Sequence, residues 1–418
     1  MAFLRSLFAG VSGLKAHQLM MDVIGNNIAN VNTIGFKAGR TTFSELYAQT
    51  LKSATQPVAN NGGTNPIQVG VGVSVNTLDT LFSQGNIETT GQTTDLAISG
   101  PAFFVVNKDG KTLYTRVGTF QLDSTGKMVN SGDGSVLQGK MADATGNIPS
   151  GTSLQDIQIS QDMQSPSKAT TTAKFAGNLD ASAAVGDTSS ASVSVFDSLG
   201  NPQTVTLTFT KTADNTWNWN AAVPAPATIT AGAGTITFNS DGTLNSFTGN
   251  PLTFNPNDGA APVSIALDAG TPTAAAPGVF EGITQTSGTS SVTAREQDGY
   301  AAGALSNISI DANGRVLGTF TNGTVLTLAQ VMLAEFSNPG GLMRTGENCY
   351  DISGNSGTPA VITPGDTSKI QSGALEQSNV DLSEEFTNMI TAQRGFQANA
   401  RVITTSDQFL QEVVDLKR

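Results

Sequence analysis

Residues 4–30, LRSLFAGVSGLKAHQLMMDVIGNNIAN, set Leu7, Leu14, Met21 and Ile28 seven residues apart, with Leu4 and Val11 offset from that row by three. Such spacing keeps apolar side chains on one stripe of an α-helix, the pattern by which one helix packs along another. The reading predicts an amphipathic helix to about Asn30. There Asn26, Asn27, Asn30 and Asn32 are poor helix formers, and Gly35 can supply the left-handed stop.

The far end of the chain mirrors this. Leu382, Met389, Phe396, Ile403 and Leu410 form a second seven-residue series, Phe386, Ala400 and Val414 lie on the adjacent row, and Asp381 with Glu384 has the form of a capping box. A helix of this length, about 35 residues at ~1.5 Å each, is a rod of about 50 Å. The simplest arrangement pairs the two ends as an antiparallel coiled coil. Gln18, Gly25, Gln393 and Asp407 stand where core residues are expected, and Phe409, Val413 and Leu416 add a further apolar row. Seams incomplete on one pair, with apolar rows to spare, suit a wall of several subunits whose helices gain order on assembly.

Between the ends the hydrophobic period falls to two, in runs such as Phe103–Val106, Val193–Phe196, Thr204–Phe209, Ile236–Phe238 and Ser306–Ile310. Turn signals punctuate them at Asp109-Gly110, Asp123 to Gly126, Asp133-Gly134, Asp241-Gly242 and Asp311 to Gly314. The expected fold is therefore α+β and mainly β: long terminal helices in a coiled coil, with two stacked β-rich domains, antiparallel barrels or sandwiches, between them. The proposed division is a helical core of residues 1–32 and 381–418, connecting segments 33–75 and 358–380, an inner β-domain of 76–146 and 290–357, and an inserted outer β-domain of 147–289. The Ala- and Pro-bearing piece from Asp268 to Gly278 reads as a surface loop.

Composition narrows the function. A net charge of −12 lacks the clustered Lys and Arg that nucleic acid or an anionic membrane would need. No run of about twenty apolar residues exists to span a bilayer. Near the start, the apolar patch after Arg5 is broken by Ser6, Gly10 and Ser12, unlike a cleaved secretory signal. The single His17 and single Cys349 allow no zinc site of the usual kind and no plausible nucleophilic triad. Cys349 reads as a small buried thiol and His17 as a polar residue on a helix face. The Asp311 turn lacks the first acid and closing Glu of an EF-hand loop, and Glu384 and Glu385 point about 100° apart on a helix. No phosphate-cradling glycine motif follows a strand. We expect no enzyme, cofactor or metal site.

Several segments carry a resemblance. Gly13 to Ala16 and Met21 to Lys37, which includes Asn26, Asn27, Asn30, Thr33, Gly35, Phe36 and Lys37, resemble the N-terminal signature of the flagellar rod and hook protein family. Gly373 to Leu382 and Ala392 to Ala400 resemble its C-terminal end, and Asp95 to Gly100, Phe103 to Val106 and Tyr114 to Phe120 its interior. Phe196 to Pro202 and Gln297 to Gly303 resemble segments found in the hook members. The resemblance implies export through the flagellar type III apparatus without signal cleavage, and assembly under a hook cap protein outside the cell. It implies a self-polymer, the flexible tubular joint between the distal rod protein and the hook-filament junction protein. Leu4, Leu7, Val11, Leu14, Met21, Ile28, Leu382, Phe386, Met389, Phe396, Ile403 and Leu410 are the expected assembly surface. Two alternatives remain. A distal rod protein is disfavoured by the large insertion, and a secreted β-rich adhesive protein would need Trp217 and Trp219 as an exposed platform.

Overall fold

The structure, a computed structural model, describes residues 2–57, 62–151, 153–272, 281–365 and 367–415, with the side chains of residues 2–4 and 413 left out. Leu4 and Val413 thus lie outside the described side chains. Leu416 and most of the Asp268 to Gly278 loop lie outside the described residues. The chain forms two compact units.

The first unit comprises Met1–Ser160, Ile308–Leu317 and Thr327–Arg418. Its helices are α1 (Ala2–Ala29) and α2 (Leu382–Asp415), which lie against each other. Asp381 caps α2 through its Oδ1, which accepts the amides of Ser383 at 2.8 Å and Glu384 at 3.3 Å, while Glu384 and Glu385 place negative charge in the first turn. At the end of α1, Asn30 donates from its side chain to the Asn26 carbonyl at 2.9 Å, and Gly35 takes φ +67°. Only glycine fits there, because a Cβ would stand 2.9 Å from the Val117 amide nitrogen.

Residues expected as a connecting segment form a strand pair instead. Gly39–Glu45 pairs antiparallel with Val73–Thr80, and Ala48–Lys52 with Ile67–Gly70. The ribbon is laced by hydroxyl contacts, Thr42 to Thr77 at 2.6 Å and Ser44 to Ser74 at 3.0 Å, and packs on α1. Neither face of it is buried throughout, so it lacks the alternation that marks a strand in sequence.

The β-body of the first unit is centred on Phe103–Lys108, which pairs with Lys111–Thr115, Val136–Met141 and Leu333–Glu335. Phe103, Val105, Tyr114, Phe336 and Tyr350 fill one side of it, with edge-to-face rings 4.8 to 6.0 Å apart. Phe104, Val106, Phe120 and Leu137 are buried as well. That strand is therefore covered on both faces, as its continuous apolar run implies.

The second unit, Gln161–Asn307 with Gly318–Leu326, is a sandwich. One sheet is an antiparallel meander of Thr188–Phe196, Pro202–Ala213, Thr216–Ala222, Ala233–Phe238 and Leu244–Phe247. The other is mixed: Thr172–Asp180 runs parallel to Val263–Asp268 and Ile283–Thr286 and antiparallel to Thr293–Gln297. The expectation of purely antiparallel pairing fails here, because parallel partners far apart in sequence leave no hairpin signal. Trp217 and Trp219 point inward from one strand face and are 1% exposed, and Trp219 donates to the Thr248 carbonyl at 2.9 Å. They are core residues and form no platform.

The boundaries expected at 147 and 289 both move later. Gln155–Asp156 still pairs with Val136–Met141 of the first unit. Thr293–Gln297 and Tyr300 still pair within the second. Composition marked flexible-looking stretches, whereas strand pairing sets the edges of a unit.

Candidate functional site

Along the helix pair, Ser6 Oγ lies 3.2 Å from Ser406 Oγ, Gly13 faces Asn399, and Asn27 donates to Glu385 Oε1 at 2.8 Å. Each step of seven or fourteen residues along α1 is matched by an equal step back along α2, so one antiparallel register holds throughout. Gly10 meets Ile403 and the His17 ring covers Gly395. A Cβ on Gly13 would stand 2.7 Å from the Asn399 side chain, and one on Gly395 2.6 Å from the His17 ring. The axes approach closely because small residues line the seam. Ala16, Ile24, Asn27, Ala392 and Ser406 are its buried members. Burial pushes the Glu385 carboxyl up; the Asn27 hydrogen bond opposes this and the neighbouring Glu384 adds to it.

The large apolar rows read from sequence therefore lie beside this seam and do not form it. Leu7, Leu14, Met21 and Ile28 on α1, and Met389, Phe396, Ile403 and Leu410 on α2, are half-buried, and of these Ile403 reaches the seam. Val11 is 41% exposed, Leu382 40% and Phe386 51%, and Phe8, Ile390, Val402, Phe409 and Val414 are exposed too. The physical reason is packing distance: glycine and alanine let backbones meet, and bulky residues are displaced to the flanks. His17, expected as a polar surface residue, is half-buried in the seam with its ring edge-to-face on Phe43 at 5.7 Å.

Below the helices the signature residues build a buried junction. Asn27 also bonds both backbone groups of Gly39, Thr33 donates to Asn30 Oδ1 at 3.0 Å, and the Gly35 amide donates to the Glu376 carbonyl at 2.8 Å. Phe36 lies under the Arg344 guanidinium at 5.5 Å. Lys37 Nζ donates to Glu376 Oε1 at 2.6 Å and to the Ser83 carbonyl at 2.7 Å. Arg116 reaches Glu376 Oε2 at 3.2 Å and the Gly100 carbonyl at 2.7 Å, over the face of Phe103. All three charged side chains are at most 1% exposed. Desolvation lowers the Lys37 pKa, Glu376 partly restores it and Arg116 lowers it again; burial lowers Arg116 likewise. Arg116 and Glu376 lie in two of the family-like segments, and nothing in their spacing pairs them. The available signal was three lone charges, in Gly35 to Ala38, Tyr114 to Phe120 and Gly373 to Gln377, each set among apolar and small residues.

In the second unit Asp298 does comparable work. It accepts the amides of Thr171 and Thr172 at 2.8 Å and the Thr171 hydroxyl at 2.7 Å, and it pairs with Lys168 at 3.0 Å. Burial would raise its pKa, but these bonds hold the carboxyl well below the usual carboxylate range. A depressed folded value means stability fully present above the unfolded pKa of about 3.9 and lost as pH falls through the folded value. Asp298→Asn is expected to cost the second unit about 1.5–3 kcal/mol at pH 7. Thermal unfolding should show the gap to wild type shrinking steadily below pH 4; an equal gap at pH 7 and pH 2 would contradict the charge-based account.

The remaining reactive types are structural. Cys349 is buried, its Sγ 3.5 Å from Asp133, and burial with that carboxylate pushes the thiol up to about 12. Asp311 accepts the amides of Asn313 and Arg315, an ordinary side-chain-closed turn. Among the described residues no group of three or more His, Cys, Asp or Glu is placed to hold a metal, and no helix is long and apolar enough to cross a membrane.

The geometry serves to join the two chain ends to each other and to the β-body beneath them, which defines a structural subunit of the rod-and-hook class. Family models match in chain order: flagella basal body rod protein at 7–37, flagellar hook protein FlgE/F/G D1 domain at 97–167, flagellar basal body protein FlaE D2 domain at 164–300, and flagellar basal body rod FlgEFG protein C-terminal at 371–416. The chain is 40% identical to the flagellar hook protein FlgE of Borreliella burgdorferi, over 99% of this chain and 100% of that protein. It is 35% identical to the Escherichia coli hook protein over 97% and 98%. A flagellar basal-body rod protein FlgG of Bacillus subtilis is 32% identical over 99% and 100%. The chain belongs to the flagellar hook protein FlgE family, a structural and non-enzymatic family, and is a self-polymerising subunit of the flagellum. The rod-named relative matches the full length, so the large insertion does not by itself separate hook from rod.

Proposed function

We propose that this chain forms the hook's tube through the apolar rows that its own helix pair leaves uncovered, with Val11, Leu382 and Phe386 among the exposed members. A helical tube needs heterologous contacts repeated without ring closure, and two rods joined by a small-residue seam present apolar flanks on both sides for that purpose. Leu4, Leu7, Leu14, Met21, Ile28, Met389, Phe396, Ile403 and Leu410 complete this surface in the proposal. The subunit travels through the flagellar type III apparatus and assembles outside the cell under the hook cap protein, between the distal rod protein and the hook-filament junction protein. The observation that carries the reading is the row of exposed large apolar side chains flanking a polar, small-residue seam.

Val11→Asp with Phe386→Asp is expected to leave the soluble chain folded, with an unchanged melting curve, while electron microscopy of cells carrying it shows basal bodies without hooks. Hooks of normal number and length would refute the surface assignment.

A further inference from the structure

The outer strand pair of the ribbon, Ala48–Lys52 with Ile67–Gly70, has one apolar side. Gln49 stands opposite Val69, and the side-chain period of two puts Tyr47 and Leu51 with Gln49, and Ile67 with Val69, on that side. The other side is polar, with Gln68 donating to Thr50 Oγ1 at 3.0 Å. Tyr47 is 68% exposed, Leu51 56% and Ile67 54%. Two strands alone are marginal in water, and an apolar side left this open calls for a cover.

The chain's own helices do not supply it. The ribbon is tied to α1 farther in, where the Val73 amide donates to Ser12 Oγ at 3.2 Å and Gly72 lies against Ala9 and Ser12. Outward of Gly72, every residue of the two strands except Ala48 is exposed. Apart from the helices and residues 43–81, the first unit's exposed large apolar residues among those described are Met343, Ile352 and Val361. Its apolar surface is thus concentrated in two patches of different shape, the helix flanks and the ribbon. A heterologous contact in a self-polymer joins two such different patches. Charge permits the approach, because Arg40, Glu45, Lys52 and Asp79 cancel on the ribbon strands of a chain that carries −12 overall.

We infer that the apolar side of the ribbon in one copy of the chain docks on the Leu382–Phe386–Ile390 row of α2 in the next copy. This rests on the reading of the helix flanks as the tube-forming surface and names what covers one of them. The three residues recur every fourth position and form one exposed ridge. Their span is about 12 Å along the helix, and that of Tyr47 to Leu51 about 13 Å along an extended strand, so the two rows match in length. Lys52 at the ribbon and Glu384 beside the ridge are both exposed and of opposite sign.

The test uses hooks isolated from cells whose chain carries both Leu51→Cys and Ile390→Cys, treated with a short bis-maleimide. Both positions are exposed, and the native Cys349 is buried away from the reagent. The expected result is a ladder of dimers, trimers and longer species on a denaturing gel, absent from the soluble chain and from hooks with either substitution alone. A ladder from Leu51→Cys alone would mean that ribbon meets ribbon, and a cross-link to a different protein would mean another occupant. Either result, or double-variant hooks that give no ladder, would overturn the proposal. Tyr47→Ser with Leu51→Ser and Ile67→Ser gives a second reading that needs no cysteine: the soluble chain should keep its melting curve while basal bodies lose their hooks. If that variant builds normal hooks and Val11→Asp with Phe386→Asp does not, the ribbon assignment fails and the flank reading stands; normal hooks from both would sink both.

Discussion

Replacing Glu376 by Ala is expected to unfold the first unit at temperatures where the native chain is stable. Lys37 and Arg116 are both buried, and among the described residues Glu376 is the one carboxylate that reaches them; without it two cations remain in a site closed to water. Removing one partner from a buried ionic group costs about 3–5 kcal/mol, a large part of the roughly 5–15 kcal/mol that separates folded from unfolded domains. The Gly85 amide loses its acceptor as well, a bond of 2.9 Å. Denaturant unfolding of the soluble chain should show the first unit's transition moved to much lower denaturant, with the second unit's unchanged. A shift equivalent to less than about 1 kcal/mol would mean that water enters the junction and solvates the cations. Replacing all three charges by apolar residues, Lys37→Met, Arg116→Met and Glu376→Leu, should recover much of the loss, since a buried ionic cluster is commonly no more stable than a packed apolar one. Lys37 and Glu376 are 339 residues apart in the chain. The first unit therefore cannot complete its core until the C-terminal segment has joined it.

The parts legible in sequence were those with a simple period. Both helices stand where heptad spacing put them, and α1 ends within a residue of Asn30. The buried strands around Phe103 and Val193 run apolar or alternate as read. What escaped was set by partners distant in sequence. The seam between the helices uses Ser6, Gly13, Asn27, Glu385, Asn399 and Ser406, residues that a hydrophobicity count discards, because close approach rewards small size and matched polarity over bulk. The Gly39–Thr80 ribbon escaped because neither of its faces is fully buried, so its apolar residues do not alternate cleanly. Asp298 stands within the family-like segment Gln297 to Gly303, yet its role depends on Thr171 and Thr172, more than a hundred residues earlier. The limits of the second unit followed the same rule: a strand belongs where it pairs.

The seam makes the second large effect predictable. Gly13→Leu combined with Gly395→Leu is expected to separate α1 from α2 and to abolish hook formation, while the second unit keeps its melting curve. Leucine is the better helix former by roughly 0.5–1 kcal/mol per site, so propensity alone would favour the variant. Packing decides the opposite way, because each new Cβ would fall within 2.7 Å of atoms across the seam, the Asn399 amide in one case and the His17 ring in the other. The ring also stands edge-to-face on Phe43, a contact that its displacement would disturb. Overpacking of this kind costs about 1–3 kcal/mol per site, and moving the axes apart also breaks the Ser6–Ser406 and Asn27–Glu385 contacts that fix the register. Helical circular dichroism of the soluble chain should fall, and cells should carry basal bodies without hooks. If instead the variant kept full helicity and built normal hooks, the glycines would be incidental and the apolar flanks alone would hold the tube. The single changes should rank by what they strike: Gly395→Leu, against a rigid ring, more severe than Gly13→Leu, against an amide that can rotate aside.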